Sequence, residues 1–179
     1  MGRAGAAVGS AVFFALAPGV VAGVVPWWLT GWEATDLPGW WLPLRVAGVV
    51  LLVAGAGVLV HAFARFVAEG VGTPAPVAPT RELVVGGLYR YLRNPMYVGV
   101  GLAIAGQCLA FRSVSLVVWL ALFTIAVTVF VVAYEQPTLR ARYGASYDAY
   151  CRRVPAVVPR LRQRTRSTRR SSQTGPSES

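Results

Sequence analysis

Apolar residues run in four long stretches along this chain, with polar and charged residues gathered between and after them. The stretches lie near Ala6–Trp27, Pro43–Phe66, Pro95–Phe111 and Ser113–Tyr134. Each approaches the roughly 20 helical residues that cross a bilayer. The first also fits a signal peptide, since Arg3 precedes an apolar core. Its small-residue cleavage pattern, Ala15-Leu-Ala17, is however followed by Pro18, so a retained helix is predicted. Past the fourth run, Leu139, Tyr143, Tyr147, Tyr150 and Val154 recur at helical spacing, interleaved with Arg140, Arg142, Arg152 and Arg153. That reads as an amphipathic helix lying on the membrane surface. The pattern predicts an all-α polytopic membrane protein with about four transmembrane helices and a C-terminal interfacial amphipathic helix. Residues 1–160 form the domain and residues 161–179 a disordered basic tail.

Composition agrees with the membrane class: 55% of the 179 residues are hydrophobic, 13% are charged, and mean hydropathy is +0.54. The net charge of +10 comes entirely from arginine, and ten of the 17 arginines fall between Arg140 and Arg170. Loop charge then orients the helices. Leu29 to Leu42 carries Glu33 and Asp36 without an arginine and should lie outside. Phe66 to Asn94 carries Arg81, Arg90 and Arg93 and should lie inside with the C-terminal basic run. Trp27, Trp28, Trp32, Trp40 and Trp41 mark the outer boundary as an aromatic belt. Both termini are therefore placed in the cytoplasm, with Arg45 and Arg112 as exceptions on the outer side. Arginine without lysine, and abundant Ala, Val and Gly, point to a GC-rich genome and a bacterial inner membrane. Cys108 and Cys151 give no disulfide framework, and the single histidine, His61, excludes a multi-histidine metal site, so no metal is expected. His61 reads as a packed or interface histidine, or as a group that handles substrate protons.

This topology brings Gly87–Gly99 and the Tyr134-Glu135-Gln136-Pro137 segment to the same membrane face. The third and fourth helices are joined by a tight turn at Arg112 and must be antiparallel neighbours. Asn94-Pro95 is a helix start, with Asn as cap and Pro at the first helical position. Its positive dipole end suits an anion, and Arg90 and Arg93 either strengthen that preference or anchor the positive inner face. Gly99 and Gly101 permit close approach by a neighbouring helix or a ligand. Glu135 stands at a helix C-terminus where negative charge is unfavourable, which calls for an arginine or a cationic ligand beside it. Pro137 removes a helical donor and should kink the chain next to Glu135.

With these residues placed, the chain resembles the integral-membrane methyltransferase superfamily. That group includes isoprenylcysteine carboxyl methyltransferases and phospholipid N-methyltransferases. The resemblance covers about Gly72 to Arg160 and rests on a linked pattern. It begins with Gly72-Thr-Pro74, Leu83-Val84, Gly87-Leu-Tyr89 and Arg93-Asn-Pro-Met-Tyr97. Glu135, Leu139, Tyr143-Gly144, Tyr147, Tyr150 and Val154-Pro155 complete it. It implies S-adenosylmethionine as cofactor on the cytoplasmic side and a lateral opening for a lipophilic acceptor. Family cofactor contacts map onto Arg81, Glu82, Leu83, Val84, Tyr89, Asn94, Pro95, Met96, Tyr97 and Glu135. The paired glutamates of the family are here Glu135-Gln136, and prenylcysteine members have His at the place of Asn94 and a substrate-holding arginine at that of Val131. Asn-Pro-Met-Tyr is closer to the phospholipid type.

The activity implied is direct, in-line methyl transfer to a lipophilic acceptor, either isoprenylcysteine carboxylate-like or phospholipid amine-like. Arg93, Asn94 and Glu135 are the expected catalytic residues, with Tyr89 and Tyr97 beside them. Two other readings compete. Tyr143-Gly144 and Tyr150-Cys-Arg-Arg-Val-Pro155 echo the end of membrane sterol- or ene-reductases, which use NADPH. A non-enzymatic scaffold or transporter subunit would use the arginines only as lipid anchors. Nucleic acid is not an expected partner, because the basic tail lacks interleaved aromatics.

Overall fold

A computed structural model describes residues 16–33, 37–69 and 86–156, with residues 66–69 described as backbone only. The Arg81–Val84 stretch and the basic tail fall outside the described residues. Those that are described fold into five helices. These are α1 (Leu16–Thr30), α2 (Leu42–Glu69), α3 (Pro95–Phe111), α4 (Val114–Tyr143) and α5 (Ala145–Arg153). Two segments are long and apolar enough to cross a membrane: Gly39–Arg65, which holds most of α2, and Val114–Tyr143. α1 and α3 are apolar but shorter.

The tightest packing in the fold joins α2 to α3, and four glycines make it. A Cβ on Gly48 would lie 2.6 Å from the Gly106 carbonyl oxygen, and one on Gly55 2.7 Å from that of Gly99. The two pairs run in opposite order along the two helices, so α2 and α3 are antiparallel. Between apolar helices in lipid, close backbone approach of this kind supplies the dispersion contacts that hydrophobic burial supplies in water. The sequence reading left Gly99 and Gly101 open between helix packing and ligand approach, and the structure separates them. Gly99 is pressed against Leu59, whereas a Cβ on Gly101 would meet only the Phe123 ring, at 3.8 Å.

Proline shapes two helices in the same way. π-helical turns at Val20–Val24 and Val131–Glu135 each end two residues before a proline, Pro26 and Pro137. The N–H groups of Val25 and Gln136 reach back five residues, to the carbonyls of Val20 and Val131. Proline has no N–H to donate, and a widened turn absorbs the mismatch. Around Pro137, α4 therefore continues to Tyr143 through a π turn, where a simple proline kink was expected. In α1, the carbonyls that the turn releases are taken up by other helices. Gln107, only 2% exposed, donates through Nε2 to the Ala22 oxygen at 2.8 Å and accepts from Trp32 Nε1 at 3.3 Å. Trp119 Nε1 donates to the Val21 oxygen at 2.9 Å. Gln107→Leu would remove the partner of the half-buried Ala22 carbonyl and of the Trp32 indole N–H. We expect it to cost about 1–3 kcal/mol, read as a lowered unfolding midpoint in detergent.

The turn between α3 and α4 is built by Arg112, in the left-handed region at φ 49°, and by Ser113, whose Oγ accepts from the Leu116 N–H. The Arg112 guanidinium stacks over Trp41 and Trp40 at 5.2 and 5.8 Å, an environment that accounts for an arginine at the tryptophan-rich end. At the opposite end, Gly144 (φ 52°, ψ −128°) divides the predicted amphipathic helix in two. Gln136–Tyr143 continues α4, and α5 turns away as a separate helix.

Candidate functional site

The N-terminus of α3, the Val131–Glu135 turn of α4 and the inner face of α5 converge at one end of the bundle. Tyr97, in the first turn of α3, donates its hydroxyl to Glu135 Oε2 at 3.1 Å, joining residues 38 positions apart. Arg93 is close enough for its charge to act on Glu135. They form no close ion pair; among the described residues, that contact is the exposed Arg140–Asp148 pair at 3.2 Å. Glu135 thus has a phenol donor and a nearby positive field, while its second oxygen makes no hydrogen bond among the described residues.

Arg93 is half-buried and held from several directions. Its backbone N–H donates to the Pro155 oxygen at 2.9 Å, and the Asn94 N–H to the Ala156 oxygen at 3.3 Å. The chain after α5 thereby straps across the start of α3. Arg93 Nη1 donates to Cys151 Sγ at 2.8 Å, and its Nε is buried with no hydrogen-bond partner. Tyr147 and Tyr150 share this face of α5. Tyr150 donates to the Tyr89 carbonyl at 2.6 Å. Burial, helped by the nearby Cys151 thiol, pushes the Tyr147 phenol up to about 12, and burial raises Tyr150 as well. Both therefore remain neutral phenols near neutral pH and do not serve as bases.

Asn94 occupies the predicted N-cap position, but its side chain makes no capping hydrogen bond. That corrects the expected capping role. Its backbone, at φ −123° and ψ 55°, already lets the main-chain oxygen accept from the Val98 N–H, and the carboxamide stays uncommitted. Pro95 is fully buried at the first helical position, and Met96 packs against Ala62 and Tyr89. Tyr89 sits in the 3-10 turn Gly87–Arg90. Gly87 opens that turn at φ 54°, where a Cβ would strike Arg65 and come within 3.0 Å of His61 Nε2. Arg90 is exposed, outside the convergence.

The structure thus gathers Tyr89, Arg93, Asn94, Pro95, Met96, Tyr97 and Glu135 in one region. The sequence reading missed Cys151 as a partner of Arg93. The available signal was its place with Tyr147 and Tyr150 on one face of a helix whose other face carries Arg152 and Arg153. Among the described residues, no three of His, Cys, Asp or Glu come together as a metal site.

The profile of the phospholipid methyltransferase family matches residues 44–146, more than half of the chain. The chain belongs to that family. The match takes in α2, α3 and α4, and so both sides of the Tyr97–Glu135 contact. A methanethiol S-methyltransferase of Bradyrhizobium diazoefficiens is 34% identical over 88 residues, covering 48% of this chain and 32% of the relative. The matched part is about a third of that relative's length. No solved structure matches the chain.

Proposed function

We propose that this protein transfers a methyl group from S-adenosylmethionine to a lipophilic acceptor at the cytoplasmic face of a bacterial inner membrane. In this reading α1 to α4 are four spans, and both termini face inward. The observation that carries the proposal is the Tyr97–Glu135 hydrogen bond beside Arg93. It sets a phenol-held carboxylate in the field of Arg93, whose Nε is buried with no hydrogen-bond partner among the described residues.

The residues present fit the cofactor. The Glu135 carboxylate complements a cationic amino or sulfonium group. The Arg93 Nε donor and the uncommitted Asn94 carboxamide suit a carboxylate. When bound, S-adenosylmethionine supplies a methyl group activated by its sulfonium. The protein's part is to align the partners and exclude water. Tyr97 holds Glu135, the Pro155–Ala156 strap holds Arg93 and Asn94, and α5 covers the site. An acceptor that arrives as an anion needs no base, while an ammonium must first lose a proton. For an ammonium acceptor, Glu135 is our candidate for that step.

Titration of detergent-purified protein with S-adenosylmethionine and with NADPH tests the reading. Saturable binding of the first alone supports it, binding of NADPH alone favours a reductase, and binding of neither favours a scaffold. Acceptor size is open to a second test, because the relative's name gives methanethiol whereas the family's gives phospholipids. Gly101 lies one turn beyond Tyr97 on the same face of α3, where the space beside the helix is bounded by the Phe123 ring, 3.8 Å from a Cβ. Gly101→Leu is expected to lower turnover of a long-chain alkyl thiol about tenfold, by overpacking that space, and to leave a short thiol nearly unaffected.

A further inference from the structure

We propose that Cys151 is a positioning residue that aims the Arg93 guanidinium into the cofactor site. The inference rests on the function proposed above. A guanidinium is a planar fork with five donors at fixed angles, so pinning one nitrogen fixes where the others point. Here the pinned nitrogen is Nη1, 2.8 Å from Cys151 Sγ. The buried Nε is the donor left without a partner.

Cys151 has no other visible task. It is a free thiol, half-buried, on a short helix whose flanking residues, Arg152 and Arg153, are exposed. Its sulfur accepts from the guanidinium at 2.8 Å. The helix itself is anchored on both sides of this contact. Tyr150 binds the Tyr89 carbonyl, and the Pro155 and Ala156 oxygens receive the Arg93 and Asn94 N–H groups. The acceptor therefore arrives on a fixed frame, and the backbone of Arg93 belongs to the same frame. Cys151 acts on the cofactor only through Arg93.

The test uses Cys151→Ala and Cys151→Ser in the full chain, reconstituted in lipid nanodiscs. The oxygen of serine can accept the same N–H, so Cys151→Ser should stay within about twofold of wild type in S-adenosylmethionine affinity. Cys151→Ala should bind the cofactor about tenfold more weakly. Its KM for the cofactor should rise by a similar factor, with kcat changed less than twofold. A purely structural role would move the unfolding midpoint of both variants and would not be rescued by serine. Equal affinity for Cys151→Ala and wild type would overturn the proposal, as would a Cys151→Ser variant as weak as Cys151→Ala. A cofactor-free measurement separates this proposal from the function it rests on. In the side-chain 15N spectrum, rotation of the Arg93 guanidinium should be hindered in wild type and Cys151→Ser and free in Cys151→Ala. If hindrance is present but no variant binds S-adenosylmethionine, the assigned function fails while the orienting contact stands. If rotation is free in wild type, the orienting contact itself is refuted. Should Cys151→Ala not fold, Cys151→Val, which fills the volume without offering an acceptor, provides the second variant. It is expected to lower affinity about tenfold, and an unchanged affinity would count against the proposal.

Discussion

Glu135→Gln should bind S-adenosylmethionine roughly 10- to 100-fold more weakly than wild type, with turnover falling at least as far. The substitution keeps the shape and the ability to accept from Tyr97, and removes only the charge. A hydrogen bond involving a charged group contributes about 1.5–3 kcal/mol, which corresponds to that range of affinity. Tyr97→Phe is the matched control. It removes the 3.1 Å hydrogen bond and leaves the carboxylate ionisable, so its loss should be smaller, about fivefold. Isothermal titration of both variants with the cofactor provides the check. A Glu135→Gln variant with wild-type affinity would exclude the carboxylate from cofactor binding and remove the main support for the proposed chemistry.

Gly106→Leu should prevent the helix bundle from forming. A Cβ at this position would already lie 2.5 Å from the Gly48 oxygen and from the Leu52 nitrogen. Backbone atoms cannot swing aside as a flexible side chain can, so α2 and α3 would have to separate along their length. Overpacking a well-filled core costs about 1–3 kcal/mol when the surroundings can adjust, and a backbone-to-backbone contact should exceed that range. Gly57→Leu is the control, because nothing lies within 4 Å of a Cβ there. In size-exclusion chromatography after detergent extraction, Gly57→Leu should run as wild type. Gly106→Leu should aggregate or be lost. A monodisperse Gly106→Leu protein with an unchanged unfolding midpoint would show that the close α2–α3 approach is not needed for folding.

Much of the site was readable before the fold was known, for a simple reason. Asn94-Pro95 begins a helix, Glu135 lies near the end of the apolar part of the next, and the short turn at Arg112 leaves only an antiparallel arrangement. Tyr97 and Glu135 then had to lie at the same end of the bundle. The expectation that Asn94 would cap α3 with its side chain failed for a local reason. Cap preference is statistical, and here the carboxamide makes no hydrogen bond to the helix N–H groups. The π turns were missed because a proline in a helix signals a lost hydrogen bond without saying how the chain absorbs it.

Hydropathy is a property of the residues themselves, so the amino-acid order alone was enough to place the apolar helices, their connecting turn and the polar ends. Contacts between helix faces depend on rotation about each axis and on where the chain goes after a break, and these come from packing. Only the tertiary structure could show Gly48 and Gly55 against Gly106 and Gly99, or Gln107 meeting the carbonyl that Pro26 leaves free. It likewise decided that Cys151, carried by a helix redirected at Gly144, would come to rest against Arg93.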